Sequence, residues 1–363
     1  MEFLLDPAQQ MLQQSVARFL QSQCPLERVR EVADAEETIA DDVYQSARDL
    51  EIPGILIPEE FGGVGLGFLE AALVAETLGY AVAPVPFAAT SVMAPTALLA
   101  GGSDAQKTEW LPKLASGEKT LAVGVTEQIA RRTGNGISAS DGNLDGTAMF
   151  VLEAMEADAY VIADVTGALH LVAGDAEGLD RKKLNTVDRT RSVAEISLDS
   201  TSAEVLPGSV ENREPLLATI DAGRLMLAAD TLGAAQAMLN QSVAYAKERR
   251  QFNRPIGSFQ AVKHMCSEMA AELEPCRSLI WYAAHSVTAI PEEARLMICH
   301  AKAHLAEVGQ FVARTATEVH GGMGFTDLLG LHYWFKRIGF NRQLLGAPEL
   351  VREEAARAQG LVS

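Results

Sequence analysis

Cysteine is scarce in this chain. Its four thiols, Cys24, Cys266, Cys276 and Cys299, form no CxxC pair and sit within apolar patterns. That spacing argues against a disulfide framework or a cysteine-based zinc site, and reads as buried free thiols of a reducing cytoplasm. Long apolar runs are missing too: no uncharged stretch approaches the roughly 18–20 residues a membrane span requires. The opening residues, MEFLLDPAQQ, have neither the basic nor the apolar region of a secretory leader. Basic residues are outnumbered, 30 against 48 acidic, for a formal charge of −18. This balance excludes nonspecific nucleic-acid binding, which needs a basic footprint. An anionic ligand must be met by local basic patches working against the global field. What remains is ordinary globular composition, 48% apolar and 21% charged, over a length that suits two or three domains.

Periodicity divides the chain into three. Residues 1–115 read as a helical domain. Asp6 and Pro7 form an N-cap and first-turn pair, and the run from Ala8 to Leu20 is amphipathic. The loop PEEFGGVGLG, residues 58–67, precedes a second helical run from Leu69 to Leu78. Its glycines invite a nucleotide-binding reading, but no strand leads into it and no acidic ribose partner follows at the right distance. It reads as a tight turn that glycine permits.

Residues 116–208 change to short β-type runs: Leu121 to Thr126, Ala159 to Asp164, Leu169 to Ala173 and Ala194 to Leu198. Turn signals separate them, among them Thr133-Gly134-Asn135-Gly136 and Asp141-Gly142-Asn143, which predicts a middle antiparallel β domain. Residues 209–363 return to helix. Leu225, Ala228, Leu232, Ala235, Leu239, Ser242 and Ala246 make one stripe. Phe259, Val262, Cys266, Met269, Leu273, Cys276, Ile280 and Ala283 make a second, and Ile298, Ala301, Leu305, Val308, Val312, Thr315 and Val319 a third. Such stripes form bundle seams. Pro275 should kink the second helix, Gly321-Gly322 should end the third, and a fourth should run from Leu329 into residues 342–358. The predicted class is α+β multidomain: N-terminal helical domain, middle β domain, C-terminal four-helix bundle.

The most informative stretch is YAKERRQFNRPIGSFQ, residues 245–260, a short basic turn between two long helices. Arg249 and Arg250 beside Gln251 and Phe252 suit a phosphate-bearing ligand with a flat heterocycle. Arginine supplies a planar fork of donors, and the ring supplies a face for a base. The plainer explanation of two arginines is a solvated helix C-terminus favoured by the macrodipole. The stretch resembles the RxQFGxPIxxFQ signature of the acyl-CoA dehydrogenases. PEEFGGVGLGFLEAALVAETLG is similar to that family's N-terminal motif, and TEVHGGMGFTDLLGLHYWFKR to its C-terminal one. Three motifs in order cover essentially the whole chain. The resemblance implies the family fold, FAD as cofactor, and α,β-dehydrogenation of an acyl-CoA thioester in fatty-acid or steroid degradation. It also implies a cytoplasmic tetramer that passes electrons to an electron-transfer flavoprotein or similar acceptor.

Residue roles follow from the same resemblance. Arg249 takes the place of the arginine that holds the FAD pyrophosphate of a neighbouring subunit. Gln251, Phe252, Phe259 and Gln260 would line the adenosine, although Phe259 also belongs to a core stripe. Glu318, Gly321 and Gly322 would reach the dinucleotide across the dimer. Glycine suits this because backbone N–H groups can approach phosphate, whereas Glu318 replaces the family's glutamine with a repelling carboxylate. Val125 and Thr126 match the start of the loop that contacts the flavin ring. That loop continues QIARRTGNG, without the family's Pro-Gly-rich cradle. Phe150 takes a stacking position, and Leu152 replaces a residue that hydrogen-bonds the flavin.

Dehydrogenation requires a carboxylate shielded from water to remove the α-proton. Most family members place it where Leu345 stands here, and a minority place it where Gly223 stands. Asp221 and Arg224 match residues on the substrate and CoA side. Asp221 is a candidate displaced base and equally a helix N-cap. Glu349 is a second candidate, with a solvated helix turn as its plainer place. His300 and His304 stand at i, i+4 without a third ligand, so no metal site is expected. His320 and His332 flank the glycine turn as packing or cofactor-proximal residues. Two readings stay open: a self-sufficient homotetrameric dehydrogenase with an unconventional base, or a non-catalytic FAD-binding partner subunit. The latter would sit in an α2β2 heterotetramer beside a glutamate-bearing paralogue, as in family members acting on steroid side-chain CoA esters. A flavin oxidase or monooxygenase relative finds no recognisable substitutions.

Overall fold

A computed structural model describes residues 4–35, 37, 39–130 and 136–362. Six α-helices come first: α1 (Pro7–Gln23), α2 (Leu26–Asp34), α3 (Asp41–Asp49), α4 (Phe68–Tyr80), α5 (Ala94–Gly101) and α6 (Asp104–Ala115). Asp6 starts α1 as its sequence signals. Its side chain accepts from the Gln9 backbone N–H at 2.8 Å, while the Gln9 side chain accepts from the Asp6 N–H at 3.0 Å. Residues 58–67 form a turn, with Gly62 and Gly65 at φ of 79° and 67°.

An eight-stranded sheet follows: β1 (Leu121–Gly124), β2 (Gly136–Ser140), β3 (Asn143–Leu152), β4 (Ala159–Ala163), β5 (Leu169–Ala173), β6 (Leu179–Lys183), β7 (Val193–Ser202) and β8 (Glu204–Val205). The order is β6-β7-β3-β1-β4-β5-β8, with β2 paired to β3. Expectation of a purely antiparallel sheet needs correction here. β1 runs parallel to β4, from Leu121 opposite Ala159 to Gly124 opposite Ile162. The β2–β3 hairpin carries the chain back along one side of β1, so β4 enters on the other side in β1's own direction. Both strands are buried throughout, as strands covered on two faces are. Asp141 and Gly142 make the two-residue hairpin turn, both left-handed. Thr133 to Asn135 of the other turn signal lie outside the described residues.

The C-terminal segment holds α7 (Glu214–Glu248), the hairpin β9 (Arg250–Gln251) and β10 (Arg254–Pro255), α8 (Gln260–Ala289), α9 (Pro291–His320), α10 (Leu331–Gln343) and α11 (Pro348–Ala358). The first and third stripes are buried along their lengths, and the second is buried from Met269 onward. α8 continues through Pro275. The single fourth helix expected from Leu329 is in fact two. Leu345 and Gly346 leave the helix at φ of 56° and 108°, and Pro348 lacks the N–H that would continue it.

Among the interactions that join these parts are an apolar cluster packing β1, β4 and β5 against α5, α6 and α7, and two closer contacts. α4 crosses α7 at glycines: a Cβ on Gly79 would lie 2.0 Å from the Asp230 carbonyl oxygen, and one on Gly233 1.7 Å from that of Glu76. Residues from α1 to Val92 therefore share one apolar interior with α7, α8, α9 and α10. The second is a buried charge cluster. Arg337 of α10 reaches Asp188 at 2.9 Å and Asp230 at 3.0 Å, and donates to the Thr190 and Ala83 carbonyls at 3.0 and 3.1 Å. Arg191 adds a contact to Asp230 at 3.2 Å. Asp188, Thr190 and Arg191 belong to the β6–β7 connection, so the sheet is pinned to the helices by ionic contacts. Removing one partner of a buried pair strands the others in low dielectric. Arg337→Met should therefore lower unfolding free energy by about 3–5 kcal/mol, measured by chemical denaturation.

Candidate active site

Gly223 lies in α7, facing the turn between α10 and α11. A Cβ added to it would meet Leu345 Cδ1 at 2.5 Å and Met93 Sδ at 2.6 Å. The two positions where a base was sought are thus in contact with each other, and aliphatic and thioether groups fill the space between them. Leu345 is 3% exposed in a left-handed conformation.

Beside this apolar plug runs a ladder of charges. Arg224, with no exposed surface, donates from Nε to the Leu345 carbonyl at 2.8 Å and binds Glu354 of α11 through both terminal nitrogens at 2.8 Å each. Arg295 of α9 donates to both oxygens of Asp221 at 3.0 and 2.8 Å and to Glu354 at 2.6 Å. Asp221 lies about two turns inside α7, so it is not the N-cap that its sequence position allowed. Burial pushes its carboxyl up to about 6, even with Arg295 and Arg224 pulling the other way. Burial would raise Glu354 as well, but the Arg224 hydrogen bond and charge hold it below the ordinary range. Glu349 stands exposed in the first turn of α11, 3.4 Å from Arg342. Sequence reasoning missed Arg295 and Glu354. Nothing local signals them, since each is an ordinary charged residue on an amphipathic helix.

The hairpin after α7 is the second region. Phe252 and Asn253 form its turn with φ of 51° and 61°, and Phe252 is 88% exposed. Phe252 meets Phe259 edge to face at 6.1 Å, and the Arg254 guanidinium lies 3.9 Å over the Phe259 ring. Arg249, Arg250, Gln251 and Gln260 are exposed, and neither Arg249 nor Arg250 pairs with a carboxylate among the described residues. α9 ends at Gly321 with φ of 58°, and a Cβ on Gly321 or Gly322 would touch nothing within 4 Å. Exposed Glu318 lines a groove of about 450 Å³ with Glu268, Glu307 and Arg314. His320 is buried against Tyr245 at 4.6 Å, and His332 stacks on Tyr333 at 4.2 Å. His300 and His304 are exposed on α9, and the described residues contain no metal-binding cluster.

The third region is the end of β3. Val125 is buried, and Thr126 opens a short helical turn. Phe150 sits in a bulge at φ of 53° with 36% of its surface open. Leu152 is buried, and Glu153 accepts from the Thr90 N–H at 2.9 Å. Residues 131–135 of the adjoining loop lie outside the described part.

Comparison with known proteins settles what these regions belong to. Residues 6–118 match the acyl-CoA dehydrogenase N-terminal domain, and residues 215–360 match the acyl-CoA dehydrogenase C-terminal domain. The chain belongs to the acyl-CoA dehydrogenase family. It is 29% identical to acyl-CoA dehydrogenase IpdE2 of Mycolicibacterium smegmatis, covering 97% of this chain and 98% of that one. The probable acyl-CoA dehydrogenase YngJ of Bacillus subtilis is also 29% identical, covering 91% and 92%. The ChsE4–ChsE5 complex of Mycobacterium tuberculosis superposes at a TM-score of 0.91 with 27% identity, covering all of both chains. A variant of the Tcur3481–Tcur3483 steroid ACAD gives 0.88 at 26%, covering 97% and 98%.

Acyl-CoA dehydrogenases are flavoproteins, and this chain is a FAD-dependent oxidoreductase of that type. Its residues fit the cofactor unevenly. The unpaired Arg249, the open aromatic at Phe252 and the uncovered glycine turn offer charge, a stacking face and free backbone to a dinucleotide. At the ring end, Phe150 offers a face, but buried Leu152 offers no hydrogen bond. Among the described residues, no helix is long and apolar enough to cross a membrane.

The shifted carboxyl of Asp221 has a measurable signature. Its native value of about 6 lies above the ordinary 3.8, so between those pH values the folded state holds a proton that the unfolded state has released. That contribution to stability is present below about pH 4 and lost as pH rises through about 6. Asp221→Asn should flatten this part of the profile, read as a smaller difference in denaturation free energy between about pH 4 and about pH 7.

Proposed function

We propose that this protein carries out α,β-dehydrogenation of an acyl-CoA thioester as part of an oligomer that shares FAD between subunits. The observation that carries this reading is the exposed hairpin and glycine turn, where cations, an aromatic ring and bare backbone stand uncommitted within one protomer. Arg249 would hold the pyrophosphate, Gln251, Phe252, Phe259 and Gln260 would flank the adenosine, and Gly321 and Gly322 would present N–H groups. Glu318 is the discordant member, since a carboxylate beside phosphate repels it. Val125, Thr126 and Phe150 would border the ring. FAD held there would supply the acceptor for the hydride that leaves the substrate's β-carbon. The chain's own task is then to orient the thioester, exclude water and, in a self-sufficient enzyme, receive the α-proton.

The proton acceptor divides two forms of the proposal. In a self-sufficient enzyme Asp221 is the candidate base, because it is buried and its carboxyl is raised in the direction proton abstraction requires. It would first have to leave Arg295. In a partner subunit no base is needed, and the packing of Leu345 and Met93 over Gly223 is the observation that keeps this second form in view. A glutamate-bearing paralogue would then complete an α2β2 assembly. Arg224 has no exposed surface and is engaged by Glu354 and the Leu345 carbonyl, so it would act on the substrate side only by holding the Leu345 turn. An electron-transfer flavoprotein or similar carrier would be the acceptor, and four free thiols suit a cytoplasmic setting.

Expression of the chain alone decides between them. A self-sufficient enzyme purifies yellow and reduces an artificial acceptor with an acyl-CoA, and Asp221→Asn abolishes turnover with flavin retained. A partner subunit gains flavin and turnover only on co-expression with the paralogue. Arg249→Ala should weaken flavin retention by roughly tenfold or more, the loss expected for a charge-assisted phosphate contact. Unchanged flavin content in every combination would remove the shared-cofactor reading.

A further inference from the structure

We propose that Lys302 is a positioning residue: a proton-operated clamp that holds the α10–α11 turn, and with it Leu345, against α7. Lys302 lies in the middle of α9 with 2% of its surface exposed. Its ammonium donates to the Asn341 carbonyl at 2.7 Å and contacts the Arg342 carbonyl at 3.4 Å. These carbonyls belong to the last turn of α10, where backbone acceptors lack helical partners and the helix dipole favours positive charge. A few residues further on, Arg224 takes the Leu345 carbonyl at 2.8 Å. Two buried cations thus hold three carbonyls of one short stretch, and Leu345 is pressed onto Gly223 and Met93 by that stretch.

Among the described residues, the charge on Lys302 has no carboxylate of its own. From α7, Arg224 faces it, but Arg224 is engaged by Glu354 of α11, and Asp221 is engaged by Arg295. From α10, Arg342 faces it and turns toward Glu307 and Glu349. The ammonium is therefore sustained by backbone dipoles alone, among two guanidinium groups. Burial first, then Arg224 and Arg342, pull it down to about 7. Below that value the clamp is a charged donor. Above it the amine still donates, but without the charge that strengthens the bond to the carbonyls. The grip on the carbonyls rests on this geometry, and its change with pH on the burial of the ammonium between two guanidinium groups. Its bearing on the acyl group rests on the function proposed above.

Hydrogen–deuterium exchange of residues 341–347 in the full-length protein tests it, at about pH 6 and about pH 8.5, with protection corrected for intrinsic exchange rates. Wild type should lose about fivefold in protection of this segment at the higher pH, the scale of one hydrogen bond's net contribution, while α4 stays unchanged. Lys302→Arg, charged at both values, should keep its protection at both. Lys302→Met should show low protection that no longer varies with pH. Equal wild-type protection at both values overturns the proposal, as does a loss in Lys302→Arg that matches wild type or a pH-dependent loss spread over the whole chain. If a variant does not fold, the wild-type comparison between this segment and α4 still decides. Turnover is not read, so failure of the clamp and failure of the proposed function remain distinguishable.

Discussion

The seating of the β6–β7 connection in the helical core is the constraint on which the rest of this molecule depends. Burying charge is expensive, by several kcal/mol per ion, unless each group finds opposite charge and hydrogen bonds. Arg337 meets that condition through Asp188, Asp230, Thr190 and the Ala83 carbonyl, drawing on the β6–β7 connection, α7 and the segment after α4 at once. The effect propagates. The Ser192 carbonyl, next to Arg191, accepts from the Glu153 N–H at 2.9 Å, and the Glu153 carboxylate accepts from the Thr90 N–H. Met93 stands on the same helical segment as Thr90, Ala88–Met93. A single guanidinium in α10 is thereby linked, contact by contact, to the side chain that covers Gly223.

The two halves of the candidate site differ in kind. Around Arg249 and Phe252 the surface is cationic, aromatic and open, a state whose exposed apolar groups gain from being covered. Phe325, 81% exposed, and Leu328, 73% exposed, extend this character to the segment beyond the glycine turn. Around Gly223 and Leu345 the interior is apolar and closed, with carboxylates kept to an adjoining ladder where arginines hold them. The open half leaves cations and an aromatic ring uncovered, whereas the closed half is filled by its own side chains.

Much of this was legible in the sequence, for physical reasons. Heptad-like stripes such as Leu225 to Ala246 and Ile298 to Val319 report burial directly, because one helix face must be apolar to pack. Asp141-Gly142 reports its hairpin because few residues tolerate left-handed backbone. The three motifs reported the family and located the hairpin and glycine turn. The parallel pairing of β1 with β4 was not legible, since both strands look alike whichever neighbour they choose. Nor was the break at Leu345, a residue with no intrinsic preference for positive φ that tertiary contacts hold there. The ionic partnerships of Arg337, Arg224 and Lys302 join residues distant in sequence, and no local pattern encodes distance in space. Asp221 was singled out by position, but its engagement by Arg295 depended on how α7 and α9 lie together.

The glycine crossing of α4 over α7 also bears on how the chain can be divided. Backbone lies against backbone there, leaving no layer of side chains that could part and re-form. The early and late helices each supply one wall of the same interior. A cut anywhere in the intervening sheet would yield two fragments with an unfinished face apiece, so the three segments read so cleanly from periodicity are not three independent folding units.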